Sequence, residues 1–175
     1  VFDHGLLYGD GVFEGIRLYG GKIFRLAEHI DRLYDSARAI WLTVPMRRDE
    51  LMAVTEEAVQ RSGLSEAYIR PIITRGVGDL GLDPRKCVKP SVIVIVDGIR
   101  MWPAELYEHG LRVVTAATPI PQRESLSPRV KSLNYLAHIL ARIEGINAGA
   151  DEVLMLDSAG QVAEGSGENV FVVTA

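Results

Sequence analysis

Val12-Phe-Glu-Gly-Ile-Arg-Leu-Tyr-Gly-Gly-Lys-Ile-Phe24 frames the first half of the chain. Val12 to Tyr19 reads as a strand, Gly20-Gly21 as a turn, and Lys22 to Phe24 as a short returning strand. A helix is expected from about Leu26 to Ile40. There Leu26, Ile30, Leu33, Ala37 and Ile40 share one face at helical spacing. A second helix is expected from about Asp49 to Ser62, with Leu51, Val54 and Val59 on its apolar side and Gly63 as its stop. Ala67 to Arg75 reads as a strand and 76–84 as a glycine-rich loop. The apolar run Ser91-Val-Ile-Val-Ile-Val96 reads as a buried strand that closes this first unit.

Past this unit, Gly98 to Pro103 has the composition of a linker, and then the elements begin again. Leu111 to Ala117 reads as a strand and 119–128 as a proline-rich, polar loop. Asn134 to Ala148 reads as a helix with Leu136, Ile139, Leu140, Ile143 and Ile146 on its apolar side, and Gly149 just beyond its end. Asp151 to Leu156, the turn 157–160 and Gln161 to Glu164 form a strand–turn–strand. The expected organisation is α+β throughout: a small domain over 1–98, an interdomain linker over 99–107, and the first part of a larger, incomplete domain over 108–175. The chain opens at Val1 without methionine and closes at Ala175 against the strand-like Val170-Phe-Val-Val173, so further residues are expected at both ends.

Of the 175 residues, 47% are apolar and 24% charged, the balance of a globular protein. A net charge of −4 argues against general nucleic-acid binding, which needs a basic surface. The single cysteine, Cys87, cannot form an internal disulfide, which fits a reducing, cytoplasmic setting. No apolar stretch approaches membrane-spanning length. His4, His29, His109 and His138 show no metal-ligand spacing, and no phosphate loop, dinucleotide fingerprint or serine-nucleophile elbow is present.

Candidate chemistry resides in a few polar residues, each of which also has an ordinary reading. Lys131 stands just before the third long helix. A neutral lysine amine forms a Schiff base with an aldehyde cofactor, and a nearby cation such as Arg129 favours the neutral form; a lone lysine is more often a solvated charge. Glu164 opens Glu164-Gly-Ser-Gly-Glu-Asn169, where glycines allow close approach to a ligand. A carboxylate there could keep a pyridine nitrogen protonated, or could simply face water on a hairpin. Arg32 lies off the apolar stripe of its helix and suits a phosphate, or could pair with Glu28 one turn away. Tyr68 and Arg70, two apart on a strand, point to one face and suit a carboxylate; Pro71 beside them marks an edge or a bulge.

In order along the chain, Tyr8-Gly-Asp-Gly-Val-Phe-Glu-Gly-Ile-Arg17, Glu28-His-Ile-Asp-Arg-Leu33, Tyr68-Ile-Arg-Pro71, Val130-Lys-Ser-Leu-Asn-Tyr135 and Glu164-Gly-Ser-Gly-Glu-Asn-Val-Phe171 resemble the class IV aminotransferases, the fold-type IV pyridoxal-phosphate enzymes. The resemblance covers essentially the whole chain. It implies a two-domain fold with a small α/β domain and a truncated large cofactor-binding domain. Lys131 would carry the cofactor and move the substrate proton, Glu164 would pair with the pyridine nitrogen, Arg32 would bind the phosphate, and Tyr135 the phenolic oxygen. Within the family, Phe-Glu-Gly-Ile-Arg and Tyr-Ile-Arg-Pro look most like branched-chain-amino-acid aminotransferases acting with 2-oxoglutarate. Tyr68 and Arg70 would then serve the substrate carboxylate, Phe13 would line the side-chain pocket, and Trp102 would cover the substrate. Tyr8 and Leu82 would reach a neighbouring subunit's site, implying a homodimer. Further phosphate contacts are expected beyond Ala175, so the 175 residues alone are expected to bind cofactor poorly. D-amino acid aminotransferase and aminodeoxychorismate lyase are alternatives inside the family, and a non-catalytic binding or assembly relative is one outside it.

Overall fold

A computed structural model describes residues 1–99 and 102–174. They form two compact units, one of Val1–Ile99 together with Arg129–Leu133, the other of the described remainder. The fold is mixed α and β in both.

The first unit begins with α1 (His4–Tyr8), too short to show a periodicity in sequence. It forms because Asp3 caps it: Oδ1 accepts from the Gly5 N–H at 2.8 Å, and Oδ2 accepts from the Thr74 and Ser91 hydroxyls. Two strand pieces follow, β1 (Gly11–Phe13) and β2 (Ile16–Tyr19), then β3 (Lys22–Ile23). The β2–β3 turn has positive φ at both Gly20 and Gly21, the conformation a two-residue hairpin favours and glycine adopts freely. Next come α2 (Leu26–Ala39), α3 (Arg48–Ser62), β4 (Ala67–Thr74) and β5 (Ser91–Asp97). All pairings in this sheet are antiparallel, with β4 between β5 on one side and β1 and β2 on the other.

Pro71 therefore sits in an interior strand, not at the edge its residue type suggested. Its register explains why it is tolerated. Phe13 faces Ile72 and Ile16 faces Ile69, so β1 and β2 run along β4 in one unbroken register. Between them the Glu14 N–H donates to the Pro71 carbonyl at 3.0 Å, and proline has no N–H to return the bond. The single strand expected from Val12 to Tyr19 is thus one strand with a gap in its ladder. Alternation sends Val12, Ile16, Leu18, Ala67, Ile69 and Ile73 to one face, where they pack with Leu26, Ile30, Leu33, Ala37, Leu51 and Val59 of the two helices. Burying each large aliphatic chain stabilises by roughly 1.5–3 kcal/mol. Thr55 enters this core in place of the expected Val54, its hydroxyl satisfied by the Leu51 carbonyl at 2.7 Å. Buried Arg75 ties the end of α2 to the sheet. It donates to both carboxylate oxygens of Asp10 and to the Ile40 and Trp41 carbonyls.

The second unit contains α4 (Ala104–His109), β6 (Val113–Thr115), α5 (Leu136–Asn147), β7 (Glu152–Leu156) and β8 (Val162–Gly165). The helix α4 occupies part of the stretch expected to be linker; Pro103 stands at its N-cap, followed by good helix formers. β6 is parallel to β7, and β8 is antiparallel to it. The core is small: Ala116, Ala141, Val153 and Met155. The helix α5 lies on β7 through its small residues, not through the expected aliphatic stripe. Ala141 and Gly145 are the buried positions, and a Cβ on Gly145 would meet Val153 Cγ1 at 2.6 Å. Leu136, Ile139, Leu140, Ile143 and Ile146 are all exposed. No helix among the described residues is long and apolar enough to cross a membrane.

Candidate active site

In the first unit, alternation places Phe13, Gly15, Arg17, Tyr68 and Arg70 on the sheet face opposite the core. The strip Arg129–Leu133 runs along the outer edge of β1. Ser132 pairs with Val12. On either side of that pair, the Phe13 N–H donates to the Lys131 carbonyl and the Leu133 N–H donates to the Gly11 carbonyl, both at 3.0 Å. This register sets Lys131 beside Phe13. Lys131 Nζ lies 4.9 Å from the Phe13 ring centre, and the Arg70 guanidinium lies 4.9 Å from the same ring. Arg70 also lies over the Tyr68 ring at 5.1 Å and donates to its hydroxyl at 3.2 Å. A lysine and an arginine from distant parts of the chain thus share one aromatic platform, an arrangement the ring quadrupole favours. Gly15 makes the platform possible, because a Cβ there would stand 2.1 Å from the Tyr68 hydroxyl.

The lysine strip is also held from α2. The Lys131 N–H donates to Ser36 Oγ at 3.2 Å, and Ser36 is almost wholly buried. One turn earlier on the same helix is Arg32. Its Nε and Nη2 donate to the two oxygens of Glu14 at 2.6 and 2.7 Å, and His29 Nδ1 meets Glu14 Oε2 at 2.9 Å. Glu14 itself has no solvent exposure. Burial pushes its carboxyl upward, but the hydrogen bonds and charges of Arg32 and His29 outweigh that and hold it below the ordinary glutamate value. Glu28, the partner that spacing alone offered Arg32, pairs instead with Arg25 at 3.2 Å. At the far end of the unit, the Tyr8 hydroxyl donates to the Leu80 carbonyl at 2.6 Å, and Leu82 is exposed.

In the second unit, Tyr135 immediately precedes α5 and stacks on His138, ring centres 4.5 Å apart. Glu164, on β8 opposite Met155, meets His138 Nε2 through Oε1 at 3.2 Å. Tyr135 and Glu164 therefore share a neighbour in His138, whose Nδ1 is buried without a hydrogen-bond partner among the described residues. Trp102 faces the Arg142 guanidinium at 5.7 Å. Just past Glu164, the turn is braced by two carboxyls. Glu152 accepts from the Val153 and Ser166 N–H groups, and Glu168 accepts from the Gly167 N–H. Burial and the neighbouring Glu152 charge push Glu168 above its ordinary value. Glu152, despite its burial, is held low by bonds from Ser166 and Val153.

Sequence reasoning named Lys131, Arg32, Tyr68, Arg70, Phe13, Tyr135 and Glu164 but passed over Glu14, His29, Ser36 and His138. One signal was available: Glu14 alternates with Val12, Ile16 and Leu18, so it had to fall on the core face. No group of three or more His, Cys, Asp or Glu among the described residues is arranged to hold a metal ion. Taken unit by unit, the residue types suit a phosphorylated pyridine aldehyde: the first unit holds the Lys131 amine and the Arg32 guanidinium, and the second holds the Tyr135 phenol and the partly exposed Glu164 carboxylate.

Comparison with known proteins identifies the family. Residues 11–175 match the model of the amino-transferase class IV family. A putative branched-chain-amino-acid aminotransferase of Methanocaldococcus jannaschii is 53% identical over 173 residues, spanning 99% of this chain and 59% of that protein. The branched-chain-amino-acid aminotransferase of Pseudomonas aeruginosa is 39% identical over 178 residues, spanning 99% of this chain and 58% of that protein. Among solved structures, a T.th. branched-chain amino acid aminotransferase with pyridoxamine 5′-phosphate superposes with a TM-score of 0.88 at 38% identity, covering 95% of this chain and 56% of that one. The chain thus spans a little over half the length of the relatives it matches. With the motifs in order, the fold matched and the family model covering nearly all of it, the chain belongs to the class IV aminotransferases.

Proposed function

We propose that these residues carry part of the site of a branched-chain-amino-acid aminotransferase. The enzyme would exchange an amino group between branched-chain L-amino acids and 2-oxoglutarate, use pyridoxal 5′-phosphate, and work as a cytoplasmic homodimer. The observation that carries the reading is the shared platform of the first unit: the Lys131 amine and the Arg70 guanidinium on one Phe13 ring, with the Tyr68 hydroxyl on Arg70. It offers a base, an anion clamp and an apolar surface to one small amino acid. The names of the similar proteins support the substrate class and the cofactor.

When bound, the cofactor supplies an electron sink that lets the substrate α-carbon release a proton. Lys131 takes that proton and returns it, a role that needs an amine held at short range. Its backbone is held by hydrogen bonds with Phe13 and Ser36, which anchors the base of the side chain that carries the amine. Arg70 and Tyr68 hold the substrate carboxylate, and Phe13 meets the branched side chain. Arg32 would hold the phosphate, Glu164 would pair with the pyridine nitrogen, and Tyr135 would bond the phenolic oxygen. Trp102 covers the substrate, while Tyr8 and Leu82 serve the partner subunit's site.

Steady-state assays of the intact protein with L-leucine, D-alanine and aminodeoxychorismate test the substrate class. Turnover of L-leucine with 2-oxoglutarate is expected; activity confined to the other two would overturn the branched-chain reading. Lys131→Ala is expected to abolish both turnover and the near-visible absorbance of the lysine-bound cofactor. Survival of both would overturn the assignment of Lys131; a wild-type protein that shows neither would favour a non-catalytic relative.

A further inference from the structure

We propose that Glu14 is a positioning residue for Arg32: from the core face of the sheet it fixes the plane of the Arg32 guanidinium, and so the direction from which that arginine meets a phosphate ester. The inference rests on the reading of Arg32 as the phosphate ligand.

Glu14 occupies a slot whose neighbours in alternation, Val12, Ile16 and Leu18, are fully buried apolar residues. An aliphatic side chain would satisfy that slot, and buried ion pairs are commonly replaced by apolar residues without loss of stability. Stability alone therefore does not account for a carboxylate here. The geometry points to orientation instead. Arg32 meets Glu14 fork to fork through Nε and Nη2, which fixes a planar group in two dimensions where a single bond would leave it free to swing. The carboxylate is itself fixed, because His29, one turn before Arg32 on α2, holds Oε2. Glu14 has no exposure, whereas the Arg32 side chain is 55% exposed. The guanidinium thus spans from the core to the surface, with its anchored edge inward; covalent geometry puts Nη1 on the opposite edge. The same helix sets the lysine strip through Ser36, one turn beyond Arg32. Glu14 is also the chain neighbour of Phe13, the residue that pairs with Lys131. One buried carboxylate therefore fixes the arginine against the strand that receives the lysine.

The test compares pyridoxal 5′-phosphate with pyridoxal, which lacks the phosphate, as two ligands of the intact protein, read by equilibrium absorbance titration. Their affinity ratio reports the phosphate contact and cancels general damage to the fold. Glu14→Gln keeps the shape but turns an amide N–H toward the arginine. It is expected to lower the ratio roughly ten- to a hundredfold, the size of one charge-assisted hydrogen bond. An unchanged ratio, with both affinities equal to wild type or both reduced by one factor, overturns the proposal. Arg32→Gln separates the layers. If it leaves the ratio unchanged, the reading of Arg32 as the phosphate ligand falls. If it collapses the ratio while Glu14→Gln does not, only the role of Glu14 falls. Thermal melting checks that each variant folds. Should Glu14→Gln fail to fold, His29→Leu removes one of the carboxylate's two anchors and is expected to lower the ratio in the same direction; no change there overturns the proposal.

Discussion

Replacing Gly15 by alanine sets two effects of known sign against each other. In the strand, alanine lowers the entropy of the unfolded chain and stabilises by about 0.5–1 kcal/mol. Against that, the new Cβ would stand 2.1 Å from the Tyr68 hydroxyl oxygen and 2.8 Å from its ring carbon. Ordinary contact lies near 3.5 Å, so the phenol must retreat by more than about 1 Å. Overpacking of this kind costs about 1–3 kcal/mol. Tyr68 is only half-buried, so its ring can swing and the lower end applies. Net destabilisation is then about 0–0.5 kcal/mol, a melting shift of no more than a few degrees. The functional effect is larger. The Arg70–Tyr68 bond is already 3.2 Å long, and a displaced phenol breaks it. If that pair clamps the substrate carboxylate, losing one charge-assisted hydrogen bond raises KM for L-leucine roughly ten- to a hundredfold. Steady-state kinetics beside a thermal melt measures both. A folded Gly15→Ala protein with wild-type KM would refute the placement of the substrate carboxylate on this face.

Three further outcomes are expected. Glu14 is held below its ordinary value in the folded state, so its stabilisation is present above that value and is lost as pH falls through the depressed one; the melting gap between wild type and Glu14→Gln should narrow on acidification, and a gap constant with pH would contradict this. Glu168 is shifted the other way, so its contribution is present at low pH and lost as pH rises through the raised value; Glu168→Gln should melt higher than wild type at alkaline pH, with the difference shrinking in acid. Trp41 is 90% exposed and holds a left-handed φ of 57°, so Trp41→Gly relieves backbone strain and should stabilise by about 1 kcal/mol in a thermal melt.

The elements with long periodic patterns were legible from the residues alone. α2, α3, β4 and β5 fall within a residue or two of expectation, because alternation and helical spacing are local properties. Helix α1 was not legible, since a five-residue helix depends on the Asp3 cap. The aliphatic stripe of α5 misled for a related reason: spacing finds an apolar side, but close approach to β7 required the small Ala141 and Gly145. The site divides in the same way. Tyr68 and Arg70 are two apart on one strand, so their common face could be read directly. Glu14 meets partners 15 and 18 residues away, and Lys131 meets Ser36 across 95 residues. Such pairings follow from strand register, which no short window contains.

The docking of Arg129–Leu133 along β1 also bears on the order in which the molecule is assembled. The ribosome completes β1 to β5 well before it makes this strip, so the outer edge of β1 stays open until Leu133 emerges. An open edge is a template for pairing with other chains, and residues 11–13 are at that risk for as long as the intervening stretch is being made. The detour from Ile99 to Arg129 carries α4 and β6 of the second unit, and closure entropy grows slowly with the length of what lies between two paired segments, by about 0.6 kcal/mol per doubling of a flexible chain. The cost of the detour is time. Insertions between Ile99 and Arg129 should therefore leave the stability of the first unit nearly unchanged while lowering the yield of protein that reaches it. Lys131 would be among the last residues to join the sheet.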